Sequence, residues 1–223
     1  MANIFTESIL RHAEAAGTPI SADQADLCRI HIELMLEWNR HLNLTRITRQ
    51  EDIVIKHLLD SILPAASLPA SGRALDVGTG AGFPGIPLKI FHPDLEITLL
   101  DSSRKKASFL AVTVAKLGLK GAHSLHGNWE DFSAAAENQN SLQLITMRAV
   151  RLELSLLSRL ASKTLKPGGV FAWWAGPESE LTEGDLFHRD IAGLTAREKI
   201  FYRLPGISRQ RSVWIWRKSG APE

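Results

Sequence analysis

The sequence predicts an α/β fold: a Rossmann-like, mostly parallel seven-stranded sheet with an antiparallel last strand, preceded by a helical extension. Three observations predict it. From "LPASGR" onward, short apolar runs alternate with helical segments, as in a parallel sheet wound by crossover helices. A glycine-rich stretch, "LDVGTGAGFPGIP" at residues 75–87, follows the first of these runs. The last two runs are separated only by the turn "PGISRQ", which leaves no room for a crossover, so they pair antiparallel.

The elements follow in order. Residues 1–68 are expected to form a helical extension packed on a core of residues 69–223. Ser21 and Gln24 have the spacing of a capping box. Leu27, Ile30, Leu34, Trp38 and Leu42 then recur at helical intervals. Thr48 and Glu51 repeat the capping pattern before a helix that carries Val54, Leu58, Ile62 and Ala65 on one side. "NLTRIT" connects the two helices. Candidate strands are "RALDVG", "LEITLLD", "GAHSLH", "LQLITM", "GGVFAWWA", "LTAREKIFYRL" and "RSVWIWR", with helices near 85–91, 103–118, 151–164 and 178–188.

Composition excludes several classes. The single cysteine, Cys28, removes disulfide frameworks and cysteine metal clusters and reads as a small core residue. "MANIFTESILRHAEAAG" has acids among its apolar residues, unlike a signal peptide. No apolar run approaches the ~18 residues of a membrane span. A cytoplasmic monomer that does not enter membranes is the expectation. Net charge is +2, yet residues 189–223 hold eight Lys/Arg against three acids, while residues 1–66 hold nine acids against six Lys/Arg. A basic end of this kind is compatible with a nucleic-acid partner.

The glycine stretch asks for a ligand, because glycine is costly to order and is used where backbone must be approached closely. Gly80, Gly82 and Gly85 fit the dinucleotide fingerprint. Asp76, Gly78, Gly80 and Gly82 fit the looser loop that binds S-adenosylmethionine. Asp101 ends the second strand about 20 residues on, where a carboxylate takes ribose hydroxyls or caps the next helix. Both cofactors carry that ribose, so Asp101 does not choose. Asp76 does favour S-adenosylmethionine: an acid before the loop meets a cationic head group or holds the loop, and would repel a pyrophosphate. "LKPGGVFAWW" is similar to the turn and fifth strand of class I S-adenosylmethionine-dependent methyltransferases, and the antiparallel ending is usual for that fold.

Taken together, "DVGTGAGFPGIPL", "LLDSSRKKASFL", "MRAV", "EWNRHLNLTRIT", "KHLLDS" and "RQRSVWIWRK" resemble the GidB/RsmG family of bacterial 16S ribosomal RNA guanine-N7 methyltransferases over nearly the whole chain. The resemblance implies S-adenosylmethionine as cofactor, no metal, and 16S rRNA or the small ribosomal subunit as partner. It implies that Gly78 and Phe83 line the cofactor site, that Asp101 takes the ribose, and that Trp129 and Glu130 stand at the adenine. Arg148 would face cofactor and target base. Three positions depart from the family pattern: Asn128 for an Arg, Gln143 for an Asp, and Ala175-Gly176 for a Lys-Gly pair. They concern the RNA more than the cofactor.

Guanine N7 carries an in-plane lone pair and no proton, so positioning and not a general base is expected. Arg148 and Asn43 are the positioning candidates; Asn43 and Thr45, in the connector, read equally as reaching the base or the cofactor's edge and as a turn held by side-chain-to-backbone bonds. His57 and Asp60 share a helix face and read as surface pairing. Arg104, Lys105 and Lys106 read equally as phosphate contacts or a solvated helix start. Trp173, Trp174, Trp214 and Trp216 read as buried strand residues on alternate faces. Two other readings remain at this point: a ribosome- or RNA-associated protein that keeps S-adenosylmethionine without turnover, and an NAD-dependent oxidoreductase, which lacks a proton-handling pair after the fourth strand.

Overall fold

A computed structural model describes residues 3–148, 154–175 and 193–220. Seven strands form one sheet in the order β3-β2-β1-β4-β5-β7-β6. They are β1 (Ser71–Val77), β2 (Asp94–Asp101), β3 (Ala122–His126), β4 (Leu142–Arg148), β5 (Leu165–Ala175), β6 (Leu194–Tyr202) and β7 (Arg211–Lys218). The first five run parallel, and β7 inserts antiparallel between β5 and β6. All seven anticipated strands are present. The order reverses between β1 and β4, and the glycine loop leaves β1 at that crevice, where ligands bind in open α/β sheets.

The helices are α1 (Ile4–Ala15), α2 (Ala22–Leu42), α3 (Gln50–Ile53), α4 (Asp60–Ile62), α5 (Gly85–Phe91), α6 (Arg104–Leu117), α7 (Trp129–Ala134) and α8 (Leu154–Thr164). The expected helix over 178–188, and residues 151–153 of another, lie outside the described residues. The Ser21/Gln24 capping box is made. The second is not: Arg49 is the N-cap of α3 without a side-chain bond, and its guanidinium instead lies 3.9 Å from both Glu51 and Asp52. Between α3 and α4 the helix widens into a π turn, Val54–Leu59, which periodicity did not reveal. Val54, Leu58 and Ile62 are still buried, since a stripe at four-residue spacing survives one wide turn.

Strand pleating sorts the core into two clusters. Ala74, Ile97, Leu99, Leu144, Val170, Trp174 and Ile215 face α1, α2 and the π segment. Leu75, Val77, Leu100, Ile145, Phe171, Trp173, Trp214 and Trp216 face the other side with Phe132 and Leu160. The tryptophans are thus core on both faces. Cys28 is buried, and burial pushes its thiol up to about 12, which suits packing and not nucleophilic chemistry. Among the described residues no helix is long and apolar enough to cross a membrane.

Helix α2 is joined to the helices flanking the sheet, α5 and α6, by a polar bond as well as by packing. Gln24 Nε2 donates to Ile90 O at 2.9 Å, and Trp38 packs on Phe109 with ring centroids 5.7 Å apart. The π turn meets the end of β4 through His57 and Arg148, on the pleat face that also carries Asp76, Thr146 and Trp174.

Candidate active site

The glycine loop is built by its own backbone. Gly78 N and Thr79 N donate to Leu100 O at 2.9 and 3.2 Å, fastening the loop to β2. Gly82 has φ +87, and a Cβ there would meet Ile86 Cδ1 at 2.5 Å and His31 Nε2 at 3.1 Å. Gly85 opens α5 against β1 and β2, and a Cβ there would overlap Leu99 Cδ2 and lie 2.7 Å from Asp76 Oδ2. On the side a Cβ would take, Gly82 admits the protein's own side chains. Gly80 is the open position: a Cβ would meet only Gly78 O, at 3.9 Å. That free side is the part of the loop that fits a cofactor.

The two acids hold this loop from different sides. Asp76 is fully buried. It accepts from Gly85 N at 3.0 Å and from the Thr146 hydroxyl at 2.7 Å, so it supports the loop from beneath. Burial pushes its carboxyl up to about 6, and hydrogen bonds including those from Thr146 and Gly85 oppose the shift. Asp101 accepts from Gly80 N at 2.9 Å through one oxygen and from Ser103 N at 2.8 Å through the other. It thus both braces the loop and caps the entry to α6. Each carboxylate oxygen has a further lone pair for a hydroxyl donor.

Trp129 and Glu130 open α7, with Trp129 half-buried and Glu130 exposed. Asn128 is the N-cap of this helix, its side chain accepting from Asp131 N at 2.8 Å. An arginine could not accept that bond, so the departure at 128 has a local structural role. Gln143 lies against Gly72, whose added Cβ would come 3.2 Å from it. Ala175 ends β5, and Gly176 lies outside the described residues.

Arg148 is the centre of a polar cluster that sequence reasoning did not assemble. Its Nη1 reaches Asp60 Oδ2 at 3.3 Å, and its Nη2 reaches His57 Nδ1 at 3.2 Å. Asp60 also accepts from the Tyr202 hydroxyl at 2.8 Å, and its carbonyl accepts from Trp174 Nε1 at 2.7 Å. His57 and Asp60 are therefore interior partners and not a surface pair. The π turn carries His57, and α4 opens on Asp60. Burial pulls the Arg148 guanidinium down while Asp60 and Asp76 hold it up. Burial raises the Tyr202 phenol, reinforced by Asp60.

Phe83 lies inside this cluster. Its ring stacks 5.0 Å from His57 and 4.6 Å from His31, with Arg148 Cζ 5.4 Å above it. The ring, expected to line the cofactor site, packs between the loop and the N-terminal helices. His31 fixes the loop further, because its Nε2 lies 2.8 Å from Ala81 O. Asn43 caps α2 in the left-handed region, φ 49, and is exposed. Asn39 was missed: its side chain bonds both backbone groups of Thr45, at 2.8 and 3.0 Å. The "WNxxxNLT" spacing was the available signal.

The two histidines make stability depend on pH. Burial lowers His31 to about 4, and burial with the nearby Arg148 charge lowers His57 to about 3. The unfolded chain protonates both near 6.5, so it binds more protons and stability is lost as pH falls below that value toward 4. Asp76 acts oppositely between about 4 and 6, where only the folded chain keeps its proton. Two histidines against one carboxyl leave a net loss. Melting temperature is expected to fall from pH 7 to pH 5, with a shallower slope in His31→Gln. A flat profile, or one unchanged by that substitution, would contradict the assignment.

The sheet order and its antiparallel ending give the fold of class I S-adenosylmethionine-dependent methyltransferases. Similar solved folds include a SAM-dependent methyltransferase from Aquifex aeolicus (TM-score 0.54, 21% identity, 71% of this chain and 90% of that one). An S-adenosyl-L-methionine-dependent methyltransferase structure from Methanococcus maripaludis gives TM-score 0.53 at 18% identity, over 86% and 93% of the two chains. At such identities the likeness concerns the fold. The chain belongs to the GidB family, "rRNA small subunit methyltransferase G", whose model matches residues 24–199. Ribosomal RNA small subunit methyltransferase G 1 of Syntrophobacter fumaroxidans is 49% identical over 206 residues, covering 92% of each chain. The corresponding methyltransferase of Limosilactobacillus reuteri is 37% identical over 219 residues, 95% of this chain and 88% of its own.

Proposed function

We propose that this protein transfers a methyl group from S-adenosylmethionine to N7 of a guanine in 16S ribosomal RNA. One observation carries the chemistry: the titratable groups gathered at Arg148 are already committed. Asp60 is tied to Arg148 and Tyr202, and His57 is wedged between Arg148 and Thr45. Asp76 is sealed beneath the loop. Among the described residues this cluster holds no free base, which suits a nucleophile that needs none. The bound cofactor supplies an electrophilic methyl on a sulfonium. The N7 lone pair would form the new N–C bond while the C–S electron pair stayed on sulfur and the positive charge passed to the purine, so no residue of this chain need move a proton.

Within this reading Gly78 and Gly80 present backbone to the cofactor, Asp101 takes its ribose, and Trp129 with Glu130 stands at its adenine. Arg148 orients the target side, and Asn43 lies at the edge of the connector. Residues 1–68 complete the site from above and do not act as an independent unit. The small subunit or its 16S rRNA is the partner, with the exposed Arg104 and Lys105 available to phosphates. The chain acts as a cytoplasmic monomer.

Calorimetric titration with S-adenosylhomocysteine and with NADH tests the cofactor half. Tight binding of the former and none of the latter is expected. Asp101→Asn should weaken S-adenosylhomocysteine about 10- to 100-fold, the scale of a charge-assisted bond. Undiminished affinity in that variant would remove Asp101 from the site.

A further inference from the structure

We propose that Thr45 donates a hydrogen bond to the O6 carbonyl of the target guanine, and that the Arg148–His57 contact fixes the direction of that donor. This inference rests on the guanine-N7 reading above. A guanidinium has donors and no acceptor. Arg148 Nη2 lies 3.2 Å from His57 Nδ1, so Nδ1 is the acceptor and the imidazole proton sits on Nε2. Nε2 lies 2.9 Å from Thr45 Oγ1, so it donates there. Ile47 N also donates to the same oxygen, at 3.1 Å.

Both lone pairs of the Thr45 hydroxyl are therefore filled. Its own proton must point along the one remaining tetrahedral direction, and no acceptor for it occurs among the described residues. The oxygen cannot drift, because Asn39 clamps the Thr45 backbone at N–H and C=O. Thr45 is only half-buried. Its partner His57 stacks on Phe83 of the glycine loop, which ties this donor to that loop.

The chemistry of the purine edge says what such a donor does. Guanine presents two acceptors there, N7 and O6, whereas adenine presents N7 and the N6 donor. A donor aimed at O6 accepts guanine and rejects adenine while leaving the N7 lone pair free. A donor on N7 would occupy the attacking pair. The terminal nitrogens of Arg148 are held by Asp60 and His57, which keeps them off N7.

The test compares Thr45→Val, which keeps shape and loses the hydroxyl, with Thr45→Ser, which keeps it. Substrates are small subunits lacking the methyl mark, carrying either the mapped target guanine or 2-aminopurine there, which retains N7 and lacks O6. Wild-type and Thr45→Ser protein should prefer guanine by about tenfold or more. Thr45→Val should lose about tenfold or more in kcat/KM on guanine, methylate both purines equally, and bind S-adenosylhomocysteine as wild type does. Preserved discrimination in Thr45→Val, or an equal fall on both substrates, would overturn the inference. Wild-type protein that methylates no guanine N7 would overturn both it and the function on which it rests.

Discussion

Arg148→Met is expected to abolish methyl transfer to the small subunit, with a loss of at least about 100-fold, the scale of a misplaced reacting group. The substitution removes the charge that holds His57 in one tautomer and the bond that holds Asp60. The Arg148 and Asp60 side chains are 13% and 10% exposed, so the orphaned carboxylate is costly. Breaking a buried pair from one side costs about 3–5 kcal/mol, and the lower end applies because Tyr202 still donates to Asp60. Adding Asp60→Asn should restore part of the stability and none of the activity. Thermal melts and single-turnover methylation of both variants check this. Recovered activity in the double variant would reduce Arg148 to a tether for the end of β4.

Gly85→Ala is expected to damage the loop more than any other single methyl group. The added Cβ runs into Leu99 and the Asp76 carboxylate, both buried and neither free to swing away. Overpacking of this kind costs about 1–3 kcal/mol, and relief by moving α5 would break the Asp76–Gly85 bond that supports the loop. S-adenosylhomocysteine affinity should fall about tenfold or more alongside stability. Gly80→Ala should behave differently. Its Cβ enters open space, so the cost to the fold is that of a left-handed φ, about 1 kcal/mol, while cofactor binding falls further. Equal ratios of binding loss to stability loss in the two variants would mean that the open side of Gly80 does not face the cofactor.

The contrast between these glycines shows what could be read from residues alone. Local signals located the strands, the Ser21/Gln24 cap and the loop, because period, cap chemistry and glycine clustering act over a few residues. Asp101 was legible for the same reason: it ends a strand at a fixed distance beyond the loop. The work of Gly82 and Phe83 was not, because their neighbours His31 and His57 come from the helical extension. Arg148 and Tyr202 lie far in sequence from the His57–Asp60 pair and meet it only when the sheet delivers them beneath the π turn. That turn has no period of its own, so the face shared by His57 and Asp60 looked like helix surface.

Methylation of guanine N7 in 16S rRNA by the Arg148 cluster and the glycine loop together is the central expectation. It is tested most directly by incubating purified protein with labelled S-adenosylmethionine and small subunits from cells lacking its gene, then mapping the digested 16S rRNA by mass spectrometry. The account predicts 7-methylguanosine at a single site, absent with Arg148→Met. Label on another atom or base, or no label in naked RNA or any assembled particle, would contradict it.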